Sequence, residues 1–257
     1  MLIDTHCHIH EADYPIDIDE TLKRAADNGV GQLICVGTNI DSSVRAIAFA
    51  KKYPQSRAAI GVHPHETKDG YEGLATIIKT SNPVAIGEIG LDYFYNHSPR
   101  EVQLKALEWQ IDLALQNDLP IIFHVREALS AEQSMSAFHD FWSVFDNFKG
   151  IRGVLHSFTD TQQNLQEGLK RGLYIGVNGI STFTKDDSQI ATFRSIPLSR
   201  LLLETDAPYL TPIPFRGKTN EPAYIKNIAE YHAHLRDIPF DEVVQATSVN
   251  ARALFNL

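Results

Sequence analysis

The chain has 257 residues, 43% of them hydrophobic and 21% charged, with a formal net charge of −9. This is the balance of an ordinary globular protein, and the negative charge argues against a long basic groove that holds nucleic acid chiefly by counterion release. No apolar run approaches the roughly 18 residues of a membrane span and no basic-then-apolar leader is read, so the expected setting is cytoplasmic, without a membrane; Cys7 and Cys35 make no disulfide framework, which agrees with a reducing compartment.

Along the chain a short apolar run, a polar residue and a helical pattern recur. The runs are MLID (1–4), GQLICVG (31–37), RAAIGV (57–62) and VAIGEIG (84–90), then PIIFHV (120–125), GVLHSF (153–158), LYIGVN (173–178) and RLLLETD (200–206). They are continuously apolar and rich in β-branched residues, as parallel strands buried on both faces are. The clearest helix is expected over 99–118, with Pro99 in its first turn and Val102, Leu104, Leu107, Ile111 and Leu115 near helical spacing. A second is expected over 161–172, ending on Gly172. Residues 127–149 read as irregular, and the tail after 207 as two helices. No linker or charge block divides the chain, so one domain over 1–257 is expected. Eight β/α units fit an α/β (β/α)₈ TIM-like barrel better than an open doubly wound sheet. In such a barrel the catalytic groups gather where the C-terminal ends of the strands converge.

At those ends stand His6 and His8, His63, Glu88, His124, His156, Asn178 and Asp206. Taken singly, each has a plainer meaning: a histidine at a buried strand end is commonly a hydrogen-bonded core residue, and Glu88 and Asp206 suit helix N-termini. Taken together, four histidines and two carboxylates at one pole are costly to bury without a cation. His6, His8, Glu88, His124, His156 and Asp206 are therefore the candidate metal ligands. Residues two apart on a strand share a face, so His6 and His8 grip one ion while Cys7 points away. Six ligands suit two divalent cations, such as Zn²⁺, Mn²⁺ or Mg²⁺, bridged by a carboxylate. The expected division is His6, His8, Glu88 and Asp206 around the first and Glu88, His124 and His156 around the second.

The segments IDTHCHIH (3–10), IGVHPHE (60–66), AIGEIGLDY (85–93), LPIIFHVRE (119–127), VLHSF (154–158), LLLETDAPYLTP (201–212) and PFRGKTNEP (214–222) run in order across nearly the whole chain. Together they resemble the TatD-type metal-dependent deoxyribonucleases of the amidohydrolase superfamily. The resemblance implies a TIM-like barrel that binds one or two divalent cations. It also implies cleavage of DNA phosphodiesters, as an exonuclease from the 3′ end, with DNA 3′ ends or single strands as the partner and no obligate protein partner. The ligands it implies are the same six residues. Related superfamily members carry a carbamylated lysine on the fourth strand, where this chain has Glu88.

Around that set, Glu88 and Asp206 are the candidate catalytic residues, Asp206 serving as ligand and general base in hydrolysis by a metal-activated water. Glu204 is the candidate for orienting a ligand histidine. Candidate substrate contacts are His63 and His65, which otherwise form a proline-stiffened turn, and Arg126, Arg216 and Lys218, which otherwise are simply solvated. Tyr93, Phe94 and Tyr95 read as a cover for the barrel end rather than a surface for stacking bases. Three rival readings stand beside the nuclease. One is an amidohydrolase-type hydrolase of a small ester, lactone or phosphate monoester, which the same ligands serve. A PHP-type phosphoesterase also opens with His-x-His but closes with Asp-x-His, where this chain has Pro208 after Asp206. The third is a non-catalytic metal-binding protein, whose sign is a lost ligand; all six are present.

Overall fold

The computed structural model describes residues 1–95, 97–128 and 136–257. Eight parallel strands follow one another in chain order around a barrel. They are β1 (Leu2–Cys7), β2 (Val30–Val36), β3 (Ser56–Ile60) and β4 (Ala85–Asp92), then β5 (Ile121–Arg126), β6 (Gly153–Leu155), β7 (Tyr174–Val177) and β8 (Leu201–Leu203). The helices between the strands are α1 (Ile18–Asp27), α2 (Ile40–Lys52), α3 (Leu74–Thr80), α4 (Arg100–Gln116), α5 (Ala137–Phe145), α6 (Gln162–Lys170), α7 (Ile180–Phe183) and α8 (Asp187–Ser195). After β8 come α9 (Ile225–Arg236) and α10 (Phe240–Phe255).

All eight expected strands and both expected tail helices are present. The stretch 127–149 differs from expectation: α5 occupies part of it, while 129–135 lie outside the described residues. Its sequence AFHDFWSVF buries most of its residues and leaves only a narrow exposed stripe at His139 and Ser143, short of the broad polar face that marks a half-exposed helix. Glu127 fixes its start by accepting hydrogen bonds from Ser136 Oγ and from the backbone N–H groups of Ala137 and Phe138.

The barrel wall is apolar on both sides, which is why its strands lack alternation. Outward-facing Ile86, Ile89, Phe123 and Leu155 pack with Leu107 and Ile111 of α4 and Phe138 and Phe141 of α5. Each such side chain contributes about 1.5–3 kcal/mol when fully buried. A separate cluster draws Ile3, Ile34, Ala59, Ala85, Ile122, Val154 and Leu202 from seven strands and joins them to Ala251, Leu254 and Phe255 of α10. From α10, Ser248 bonds to Met1 O, and Asn250 bonds to Leu198 O and Leu201 O. That helix therefore covers the N-terminal end of the barrel and leaves the other end open. Two buried glutamines of α4 hold the open end in place: Gln103 bonds both N–H and C=O of Asp92, and Gln110 does the same to Val62.

Side chains and loop backbone help to close β8 on β1. Thr5 Oγ1 donates to Leu203 O, Asp206 N–H to His6 O, and His8 N–H to Ala207 O. Fully buried Asp4 accepts from the Thr205 N–H at 2.9 Å and from its hydroxyl at 2.5 Å. Removing that acceptor strands buried donors. Asp4→Ala is expected to lower the unfolding free energy by about 2–4 kcal/mol, read from urea denaturation. An unchanged midpoint would show that Asp4 does not hold the seam.

Candidate metal centre

The histidines and carboxylates at the open end owe their aim to irregular strands. The β1–β2 ladder shifts register between Asp4 and Cys7, and the β4–β5 ladder between Ile86 and Ile89. Such bulges re-aim side chains beside active sites. In β1 the shift lets Ile3 belong to the inner cluster while His6 and His8 both turn into the mouth and Cys7 packs outside. In β4 it turns Glu88 inward between outward-packed Ile86 and Ile89. Gly90 then passes so close to β5 that a Cβ there would lie 1.7 Å from His124 O, and its φ of +152° also favours glycine.

One nitrogen of each candidate ligand histidine faces the middle. His6 Nε2 and His8 Nε2 are 3.1 Å apart. Glu88 lies between two groups and divides its oxygens: Oε2 is 3.3 Å from His6 Nε2 and 3.9 Å from His8 Nε2. Oε1 is 2.7 Å from His124 Nδ1 and 3.5 Å from His156 Nε2. Asp206 Oδ1 completes the first group at 3.6 Å from His6 Nε2 and 3.5 Å from His8 Nε2, and is 3.7 Å from His156 Nε2. Within each of the triads His6–His8–Glu88 and Glu88–His124–His156, the ligand atoms all lie within 4.8 Å of one another. Imidazole nitrogens and carboxylate oxygens in this number fit divalent cations of borderline hardness.

The outward ring nitrogens fix which tautomer faces in. His8 Nδ1–H donates to Val36 O at 2.8 Å. His124 Nε2 is 2.9 Å from Asp92 Oδ2, and His156 Nδ1 is 2.9 Å from Glu204 Oε1. Gly176 makes room for the last contact, since a Cβ there would sit 2.5 Å from the Glu204 carboxylate. Burial works against charge on His124 and His156, yet the carboxylates on both sides prevail and raise them to about 9 and about 10. His6 and His63 are pushed down, chiefly by burial. Burial opposes ionisation of Glu88 as well, but His156, His63 and His6 hold its carboxyl well below the usual range.

The mouth opens into a cavity of about 600 Å³. His63, His65 and Arg126 line it; His63 Nε2 is 3.7 Å from Glu88 Oε1 and His65 Nε2 is 3.1 Å from Asp92 Oδ2. Arg216 and Lys218, expected at the substrate, are not among its lining residues. The Arg216 guanidinium lies 3.8 Å over the Phe183 ring and donates to Thr211 O, and Lys218 Nζ lies 5.5 Å over the Phe215 ring. Reading the sequence missed Asp92, because the apolar run of β4 ends at residue 90 and the strand continues through Asp92. The available signal was the even spacing of 88, 90 and 92 on one strand.

The family described as TatD related DNase matches residues 3–256. A Bacillus subtilis relative named "Uncharacterized metal-dependent hydrolase YabD" is 37% identical, with 100% of both chains covered. A Citrobacter rodentium relative named "3'-5' ssDNA/RNA exonuclease TatD" is 35% identical, covering 100% of this chain and 98% of that one. The crystal structure of YJJV, a TatD homologue from Escherichia coli, superposes with a TM-score of 0.90 at 31% identity, over 100% of this chain and 98% of that one.

Raised histidines must lose a proton before they ligate a cation. With pKa values raised to about 9 and about 10, His124 and His156 hold protons at neutral pH; with these two as ligands, cation binding is expected to eject protons and to weaken as pH falls, by up to about tenfold per pH unit for each proton released. Titration calorimetry with Mn²⁺ in two buffers of different ionisation enthalpy reads the proton count. Binding without proton release would exclude these two histidines as ligands.

Proposed function

The chain belongs to the TatD related DNase family and is a metal-dependent hydrolase; from that premise we propose that it removes nucleotides from 3′ ends of single-stranded DNA through a pair of divalent cations. The placement of Glu88 carries this reading: one oxygen faces His6 and His8, the other faces His124 and His156. A carboxylate so placed suits two cations sharing one bridge. When bound, such cations supply Lewis acidity, making a water more acidic and neutralising charge that develops on phosphate oxygens.

The chain's own groups supply the rest. Asp206 is buried against His6, His8 and His156; burial opposes its ionisation, but these histidines hold its carboxyl below the usual range. It is therefore an anion at neutral pH, both a ligand and the acceptor of the proton from the attacking water. Asp92 and Glu204 keep His124 and His156 in register by holding their outward nitrogens. His63 and Arg126, both lining the cavity, meet the phosphate oxygens. The name of the Citrobacter rodentium relative supports the choice of single-stranded DNA ends.

The test is Mn²⁺-dependent release of nucleotides from a 3′-labelled single-stranded oligonucleotide by the wild type and by Asp206→Asn. The substitution is expected to lower kcat by roughly 10²–10⁴-fold. Wild-type rates from the variant would remove Asp206 from the reaction. A metal-loaded wild type that is inert on oligonucleotides and active on small esters or phosphate monoesters would overturn the nuclease reading.

A further inference from the structure

Among the described residues, six large hydrophobic side chains are exposed, and only two of these are aromatic: Tyr95, 43% accessible, and Tyr209, 61% accessible. Both line the cavity at the candidate metal centre. Tyr95 follows β4 and Tyr209 follows β8. In an eight-stranded barrel whose strands run in chain order, those strands lie on opposite walls. The two rings therefore flank the entrance from opposite sides.

Each ring has a fixed base. The Tyr95 N–H donates to Asp92 Oδ1 at 2.9 Å, and its ring stacks on His97 at 5.6 Å with 16° between planes. The Arg126 guanidinium lies over the Phe94 ring at 3.9 Å and over the Tyr95 ring at 5.1 Å, so Tyr95 offers a base only the part of its face that Arg126 and His97 leave open, whereas Tyr209 is the more exposed of the two. Tyr209 N–H donates to Asp206 O, and Tyr209 O accepts from Asn220 Nδ2. Its ring centroid is 6.4 Å from that of His8. Of the three aromatics after β4, Tyr93 is engaged elsewhere, its hydroxyl donating to Asp140 Oδ2 at 2.6 Å.

The geometry points to Tyr95 and Tyr209 as stacking platforms for unpaired nucleobases, which makes them the residues that select single strands at this site; the inference rests on the nuclease reading above. Water leaves both the exposed ring and the base when they stack, and every base offers such a face, so the contact is indifferent to sequence. Within a duplex the faces are already covered by neighbouring base pairs. Arg126, over the Tyr95 ring and lining the cavity, is a cation at the same wall that a strand's phosphate can pair with. The cavity of about 600 Å³ has the size of a small-ligand site.

Two measurements test this. The first compares kcat/KM on a single-stranded oligonucleotide with that on the same oligonucleotide carrying abasic residues at its 3′ end. The preference of the wild type for base-bearing ends is expected to fall roughly 5- to 150-fold in Tyr209→Ala and in Tyr95→Ala, and to be restored in Tyr209→Trp. The second follows 2-aminopurine fluorescence at the 3′ end of an oligonucleotide with cleavage-resistant phosphorothioate linkages. Quenching is expected with the wild type and not with Tyr209→Ala. Cleavage by the wild type with an unaltered preference in both alanine variants overturns the stacking role and leaves the nuclease reading standing. Tyrosine-dependent quenching without cleavage overturns the nuclease reading and keeps the stacking role. A wild type that neither quenches nor cleaves ends both.

Discussion

One buried carboxylate organises the open end of this barrel. Glu88 is 4% accessible and has ring nitrogens of His6, His8, His63, His124 and His156 within 4 Å of its two oxygens. An anion removed from water to that degree is tolerated only where positive charge compensates it. His124 and His156 supply that compensation by holding protons, and cations supply it on the two-cation reading. The backbone serves the same end: the bulge in β4 turns the carboxylate inward, and Gly90 lets β5 pass close enough to bring His124 alongside. The glutamines of α4 pin the ends of β3 and β4 that flank it.

Much of this was legible in the sequence because each strand of such a barrel is a continuous apolar run, and a polar residue at its end stands out. His124 and His156 are visible in that way, and the His-x-His of β1 is visible because alternation puts both rings on one side. The reading failed where side-chain direction depends on something other than alternation. Asp92 lies beyond the apolar run of β4, and its role in holding His124 Nε2 emerges only once the strand is extended. The basic residues of FRGK look like a phosphate clamp by composition alone. The ring of Phe183, contributed by α7, and the carbonyl of Thr211 in the same loop hold the Arg216 guanidinium, which is not among the residues lining the cavity. Tyr209 went unnoticed because no periodicity marks an exposed ring in a loop.

The charge of the cavity sets how the protein meets a polyanion. Of the lysines and arginines among the described residues, only Arg126 lines the cavity, and it faces Glu66, Glu88 and Asp206. Against these carboxylates stand Arg126 and the protonated His124 and His156, so the mouth is no basic track, in keeping with the net charge of −9 over the chain. On the two-cation reading, the added positive charge is concentrated at the centre, which draws phosphate to that point rather than along a groove. Binding of cation and substrate is then mutually reinforcing, since each lowers the electrostatic cost of the other. A protein that holds DNA along a basic track can bind anywhere on the duplex. On the nuclease reading, an acidic barrel whose attraction is confined to its metal centre engages only a backbone that reaches the bottom of the mouth, and a free strand end does so with the least bending.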